Sequence, residues 1–346
     1  MATQHHAAIG PEKGLLAPSW LRNGARRRNQ AGTGPLADSA LLYDQIRSYA
    51  HLEAQSWQPA RNGKTRGSAL ESTWKRAKET LEGRWGILRK LATAGHVLQG
   101  EARAFVEERE LVREGLKEIE GSIRETGRLP RVASTGSMDA PRAYAAAAGY
   151  LRQVNYEFHE ETFEQFFSAI QEDLPLEMAE LWQLRPFTEM ALIESIAEQS
   201  KNLDPRAPTG GAAGIPGGQA DSAVIEDRRI AGLSTLLASL RSIKNTDWKK
   251  LLENINVIEA ILRKDPRAAY EQMDFESREL YCNTVAEMAK RTDLPELQVA
   301  QKALEFAIRA SGWGEDRASE RKSHVGYYLL AEGRRAFERA IGYRRT

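Results

Sequence analysis

From Leu70 onward, apolar side chains recur at intervals of three and four residues. Leu70, Trp74, Ala77, Leu81, Trp85, Leu88 and Ala92 are so spaced, which places them on one stripe of an α-helix. Phe105, Val112, Leu116, Ile119 and Ile123 repeat the pattern, and the Glu, Arg and Lys residues between them make a solvated face. A helix is expected near Pro141 to Leu151, its start marked by Asp139 and the early proline. Phe163, Phe166, Phe167 and Ile170 form an aromatic stripe; Met178, Leu181 and Trp182 form another, which Arg185 before Pro186 should end or kink. Further on, Ile230, Leu233, Leu236, Leu237 and Leu240 mark one helix, and Trp248, Leu251, Leu252, Ile255, Ile258 and Leu262 the next, closed by Asp265-Pro266. Asp274 can cap a helix carrying Tyr281, Val285 and Met288, and the box Asp293, Leu294, Pro295, Glu296 opens one through Leu297, Ala300, Leu304 and Ile308. No alternating series argues for a strand, and no short repeat is found, so the fold class is all-α: a multi-helix, bundle-like array.

Residues 1–36 are rich in Gly, Pro, Ala and Arg without periodicity and read as a disordered segment. A helical region over 37–200 follows, then a Gly/Pro-rich linker at 201–222, then a C-terminal helical region at 223–346. Gly211, Gly214 and Gly217 in the linker are not a phosphate loop. That motif needs a preceding strand and a following helix with Lys and Ser or Thr in register.

Composition narrows the function classes. The chain has 346 residues, 41% of them hydrophobic, enough for a substantial core. Its 49 basic and 48 acidic residues give a net charge of +1, so no field of one sign recruits nucleic acid. The single cysteine, Cys282, excludes an internal disulfide framework, fits a reducing compartment, and reads as a small buried residue on a helix. No run of about 18 apolar residues spans a membrane, and no export signal opens the chain.

Chemistry is sparse. Among His5, His6, His51, His96, His159 and His324, no two of the last four sit one helical turn apart, so a helix-borne metal pair is absent, and His159 reads as a polar residue at a helix start. There is no GxSxG elbow and no evident cysteine–histidine pair. Glu107-Glu108 and Glu160-Glu161 read as surface charge. No catalytic residue, cofactor or metal is assigned, and any small-molecule ligand is unspecified. The conspicuous residues lie in DPRAAYEQMDFESRELY (265–281) and HVGYYLLAEGRRAFERAIGYRRT (324–346). In the first, Asp265, Pro266, Tyr270, Met273 and Tyr281 suggest a packed corner, with Asp274 as cap and Arg278 paired to it one turn later. In the second, His324 lies near a helix start, followed by Gly326, Tyr327, Tyr328, Gly333 and Arg334. If that helix is continuous, Gly326, Gly333 and Ala340 leave a small-residue groove for another helix; otherwise Gly333 marks a break.

DPRAAYEQMDFESRELYCNTVAEMAKRTDLPELQVAQKALEFA with HVGYYLLAEGRRAFERAIGYR closely resembles the region that precedes the membrane and glycosyltransferase parts of bacterial cyclic β-1,2-glucan synthases. FVEERELVREGLKEIEGSIRETGRLPRV, PRAYAAAAGYLRQVNYEFHEETFEQFFSAIQE and PLEMAELWQLRPFTEMALIESIAE, the last containing Trp182, resemble the N-terminal helical segment of that family in the same order. The two blocks cover roughly 104–200 and 230–344. The resemblance implies a large inner-membrane enzyme that polymerises glucose from UDP-glucose, cyclises the β-1,2 chain and trims it with a phosphorylase-like domain. The chain departs from it by stopping. No two aspartates are separated by one residue, so the DxD motif is missing, and the lone Arg-Trp pair, Arg84-Trp85, has Leu81 where QxxRW needs Gln. The expectation is a truncated or split, non-catalytic helical region at the cytoplasmic face of the inner membrane, whose partners are the membrane-embedded synthase portion or other protein helices. The alternative is a stand-alone helical adaptor for a protein or a glucan.

Overall fold

The computed structural model describes residues 36–59, 68–123, 129–133, 140–205, 232–312 and 317–345. The N-terminal segment expected to be disordered and most of the Gly/Pro-rich stretch lie outside these residues. The fold is all-α: sixteen helices among the described residues and very little strand. Close contacts group them into two units. Among the described residues, the larger holds those between 36 and 176 and between 183 and 251; the smaller holds those between 177 and 182 and between 252 and 345.

In the larger unit, α1 (Leu36–Ser56) packs on α6 (Glu160–Asp173). Helix α8 (Leu184–Ser200) is the central rod, touched by α2 (Ser68–Thr93), α4 (Arg109–Ile123), α5 (Arg142–Gln153) and α9 (Leu233–Asn245). Every residue from Leu184 to Ile193 is buried, the pattern of a helix enclosed on all sides. Pro186 neither ends nor kinks a helix. It sits in the first turn of α8, where its missing N–H loses no intrahelical bond. The α2 stripe is buried from Leu70 to Leu88, and Ala92 is exposed. The next stripe is divided at Glu108 into α3 (Gly100–Glu107) and α4. Tyr150 centres an aromatic core with Phe158, Phe163, Phe166 and Phe167, closed by Trp248, 5.3 Å from Phe163. His159 precedes α6 as its N-cap residue.

The stretch GRLPRVASTGS, which patterning reads as loop, contributes to a small antiparallel sheet. Its order is β1 (Gln58–Pro59), β2 (Arg131–Ala133), β3 (Ala140–Pro141), with Gln58 opposite Ala133 and Arg131 opposite Pro141. Strands of two or three residues are too short to show alternation, and the prolines lie on the edge strands, where no ladder N–H is missed.

A buried charge cluster ties three helices of this unit together. On α8, Arg185 Nε donates to Glu189 Oε1 at 2.9 Å, and its Nη2 reaches Glu118 of α4 at 3.0 Å. Lys244 of α9 lies 2.8 Å from Glu118 and 3.3 Å from Glu189. Glu189 is fully buried; burial holds its carboxyl above the usual range against the pull of Lys244 and Arg185.

In the smaller unit, which includes the short α7 (Met178–Leu181), α13 (Glu296–Ser311) is central, in contact with α11 (Val257–Leu262), α12 (Phe275–Lys290), α14 (Arg317–Lys322) and α15 (Val325–Leu329). Of the expected stripe through Leu297, Ala300, Leu304 and Ile308, only Ala300 is buried; Leu297 and Leu304 are half-buried. Val299, Ala300, Ala303, Ala307 and Ala310 face inward and Ile308 is 52% exposed. Alanines let four neighbours approach closely, so packing here follows side-chain size more than hydrophobicity. The run from Trp248 to Leu262 is two helices, α10 (Trp248–Ile255) and α11, because Asn256 caps the second by accepting from Ile258 N and Glu259 N. Asp293 caps nothing. Pro295 holds the N-cap position of α13, while Asp293 pairs with Arg344.

Candidate functional site

The conspicuous residues converge within the smaller unit, on two connected sets of side chains. Asp274 is the N-cap of α12, accepting from Ser277 N at 2.7 Å, and this bond holds its carboxyl below the usual range. Arg278 does not pair with Asp274. One turn into α12, its guanidinium turns inward to Glu253 and to Glu259, 2.9 Å from Nε, and donates to the Met273 carbonyl. Half-buried Glu253 and buried Glu259 together attract it more strongly than an exposed carboxylate already spent on a cap.

Around this pair, Tyr270 donates to Glu259 Oε2 at 2.6 Å, Cys282 Sγ lies 3.7 Å from the same oxygen, and Asn256 Nδ2 reaches Met178 Sδ at 3.3 Å. Burial pushes both the Tyr270 hydroxyl and the Cys282 thiol well above their usual values. Both therefore keep their protons near neutrality, and neither is a nucleophile there. Trp182, Met178, Phe275 and Leu252 wall a cavity of about 20 Å³ against these groups. That volume takes one water and no sugar ring. Trp182 itself is 6% exposed, and its indole N–H has no partner among the described residues.

The second set is Asp265, His324 and Tyr281. His324 Nδ1 is 2.9 Å from Asp265 Oδ2, and its Nε2 is 3.1 Å from the Tyr281 hydroxyl. Burial, with Asp265 nearby, raises the Tyr281 hydroxyl above its usual value. The other Asp265 oxygen accepts Val325 N at 2.9 Å. His324 holds the N-cap position of α15 without making a cap bond. A carboxylate 60 residues away supplies it, satisfying an end group of the helix and favouring its positive end. Tyr270 and Tyr281 meet edge to face at 5.4 Å and join the two sets. At the corner between them Pro266 is exposed, and Ala268 holds φ +51, a left-handed backbone uncommon for a residue with a side chain.

The C-terminal stretch is not one helix. Helix α15 ends at Leu329, and α16 (Arg334–Ala340) begins with Gly333 as N-cap. No groove through Gly326, Gly333 and Ala340 remains. The two glycines serve close approaches inside the chain. A Cβ on Gly326 would collide with the Tyr281 hydroxyl and lie 2.7 Å from His324 Nε2, and one on Gly333 would lie 2.5 Å from the Tyr327 ring. Tyr328 packs with Phe306 and Phe337, and Arg334 Nε donates to Glu338 at 3.0 Å.

Sequence reading missed Glu253, Asn256 and Glu259, around which the first set is built. The signal was present: Asn256 followed three residues later by Glu259 is the pattern of a helix start. Chemically, both sets position helices. Their charges are matched or hydrogen-bonded, and their acidic hydrogens are held. Among the described residues no group of three His, Cys, Asp or Glu is placed to hold a metal ion, and no helix is long and apolar enough to cross a membrane.

No protein-family model matches the chain. Over 127 residues, 36% of its length, the chain is 32% identical to the protein named cyclic beta-(1,2)-glucan synthase NdvB of Rhizobium meliloti strain 1021, and the match covers 4% of that protein.

Proposed function

We propose that this chain is a non-catalytic, helical N-terminal region of a cyclic β-1,2-glucan synthase-like protein, whose role is to engage the membrane-embedded synthase portion or other helices at the cytoplasmic face of the membrane. The observation that carries the reading is the similarity to NdvB over 127 residues, in a chain that spans only a small fraction of that protein's length. The lack of DxD and QxxRW supports a role other than sugar transfer. The interiors of the two residue sets, with a cavity of about 20 Å³, favour a scaffold over a sugar site.

The test has two arms. Purified chain incubated with labelled UDP-glucose should form no polymer; incorporation would overturn the non-catalytic assignment. Co-expressed with the membrane-borne transferase portion of such a synthase, the chain should co-purify with it in detergent. Failure to do so would remove the interaction role.

A further inference from the structure

An arginine-rich corner of the smaller unit lies apart from the two residue sets built on Glu259 and on Asp265. Arg291 at the end of α12, Arg334 and Arg335 in the first turn of α16, and Arg345 beyond its end converge on an open groove of about 550 Å³, with Tyr343 at its side. The lining carboxylates are two. Glu332 is engaged by Arg321 at 3.0 Å, and buried Glu338 accepts Arg334 Nε at 3.0 Å and Arg345 Nη2 at 2.6 Å. Against them stand four guanidinium groups. Arg335 is exposed and has no ion-pair partner among the described residues; Arg291 is exposed, its guanidinium 5.7 Å from the centre of the Tyr343 ring.

The groove has the size of a small-ligand site, roughly 300–1,000 Å³, but is lined by charge instead of the usual apolar wall. Guanidinium forks match the oxygens of phosphate, and a single fork already satisfies a carboxylate. Forks arriving from two helices suit an anion with oxygens on more than one side. We propose that this groove is an anion site for a phosphate-bearing ligand, contacted by Arg291 and Arg335, with Arg334 and Arg345 set in place by Glu338. The phosphate belongs either to a soluble ester or to a lipid headgroup. This assignment does not rest on the synthase reading.

The full chain is titrated with inorganic diphosphate by calorimetry at low salt, and sedimented with phosphatidylglycerol or phosphatidylcholine vesicles. Arg335→Ala is the main variant, because Arg335 supports nothing inside the fold. Arg103→Ala, at an exposed residue of the larger unit paired with Glu107, is the control. Diphosphate binding weakened about tenfold by Arg335→Ala and unchanged by Arg103→Ala assigns a soluble phosphate ligand. Binding to phosphatidylglycerol vesicles alone, with the same sensitivity, assigns a headgroup. The proposal is overturned if neither probe binds, if Arg335→Ala changes binding by less than about twofold, or if a polyglutamate peptide binds as tightly as diphosphate.

Discussion

Lys244 is the most informative perturbation of the larger unit. Replacing it by methionine keeps an unbranched apolar stem and removes one of the two cations that face Glu118 and Glu189. Four charges that summed to zero then sum to −1, around a Glu189 with no exposure. Breaking a buried pair costs about 3–5 kcal/mol. Arg185 remains on Glu189 at 2.9 Å and Glu118 is one-third exposed, so the lower end, about 3 kcal/mol, is expected near pH 8. The sign with pH follows from Glu189. Its folded carboxyl already lies above the ordinary 4.5, and losing Lys244 raises it further. A carboxyl raised by folding loses stability as pH rises from its unfolded value through its folded one. The deficit of Lys244→Met should therefore be smaller at pH 5 than at pH 8. Urea unfolding followed by circular dichroism at both pH values measures this, with Glu189→Gln and the double variant completing a cycle. In the double variant the remaining Arg185–Glu118 pair is neutral, and most of the loss should return. A deficit of equal size at both pH values that the second substitution leaves untouched would refute the electrostatic account and point to packing of the lysine stem.

Three further outcomes are expected. Gly326→Ala should cost about 2–3 kcal/mol by overpacking, and less in a Tyr281→Phe background that lacks the colliding hydroxyl; equal costs in both would exclude that collision. Burial pushes the Glu296 carboxyl up to about 7, although it accepts Met178 N, so stability should fall as pH rises from 4.5 to about 7 and level off above. Glu296→Gln, which can still accept that bond, should flatten this decline by about 3 kcal/mol in urea unfolding, and an unchanged slope would exclude Glu296 as its source. Cys282, buried and with its thiol raised, should react with iodoacetamide at least about a hundredfold faster in denaturant than in the native protein; fast native labelling would show that this core opens.

The helical character and most core stripes were legible in the chain, because a three-to-four spacing of large apolar residues has one geometric solution. Leu70 to Leu88, the Phe163 to Ile170 stripe and the Asp274 cap are local signals, and the structure uses them locally. Where a signal needed a neighbour, spacing misled. The inward face of α13 is an alanine face because four helices crowd it, which no property of α13 alone reveals.

By itself, then, the sequence determined the all-α class and the place of most helices, and it singled out Asp265, Tyr270, Tyr281 and His324 as conspicuous residues of two separate stretches. Only the tertiary structure decided what they do. Asp265 ends the turn after one helix and caps another 60 residues on; Arg278 leaves its local aspartate for Glu253 and Glu259; the glycines of the last stretch admit Tyr281 and Tyr327 instead of a partner helix. The reason is range. Helix periodicity and capping act within one turn of chain, whereas desolvation rewards a charge for finding its partner wherever folding brings one, at any distance along the sequence.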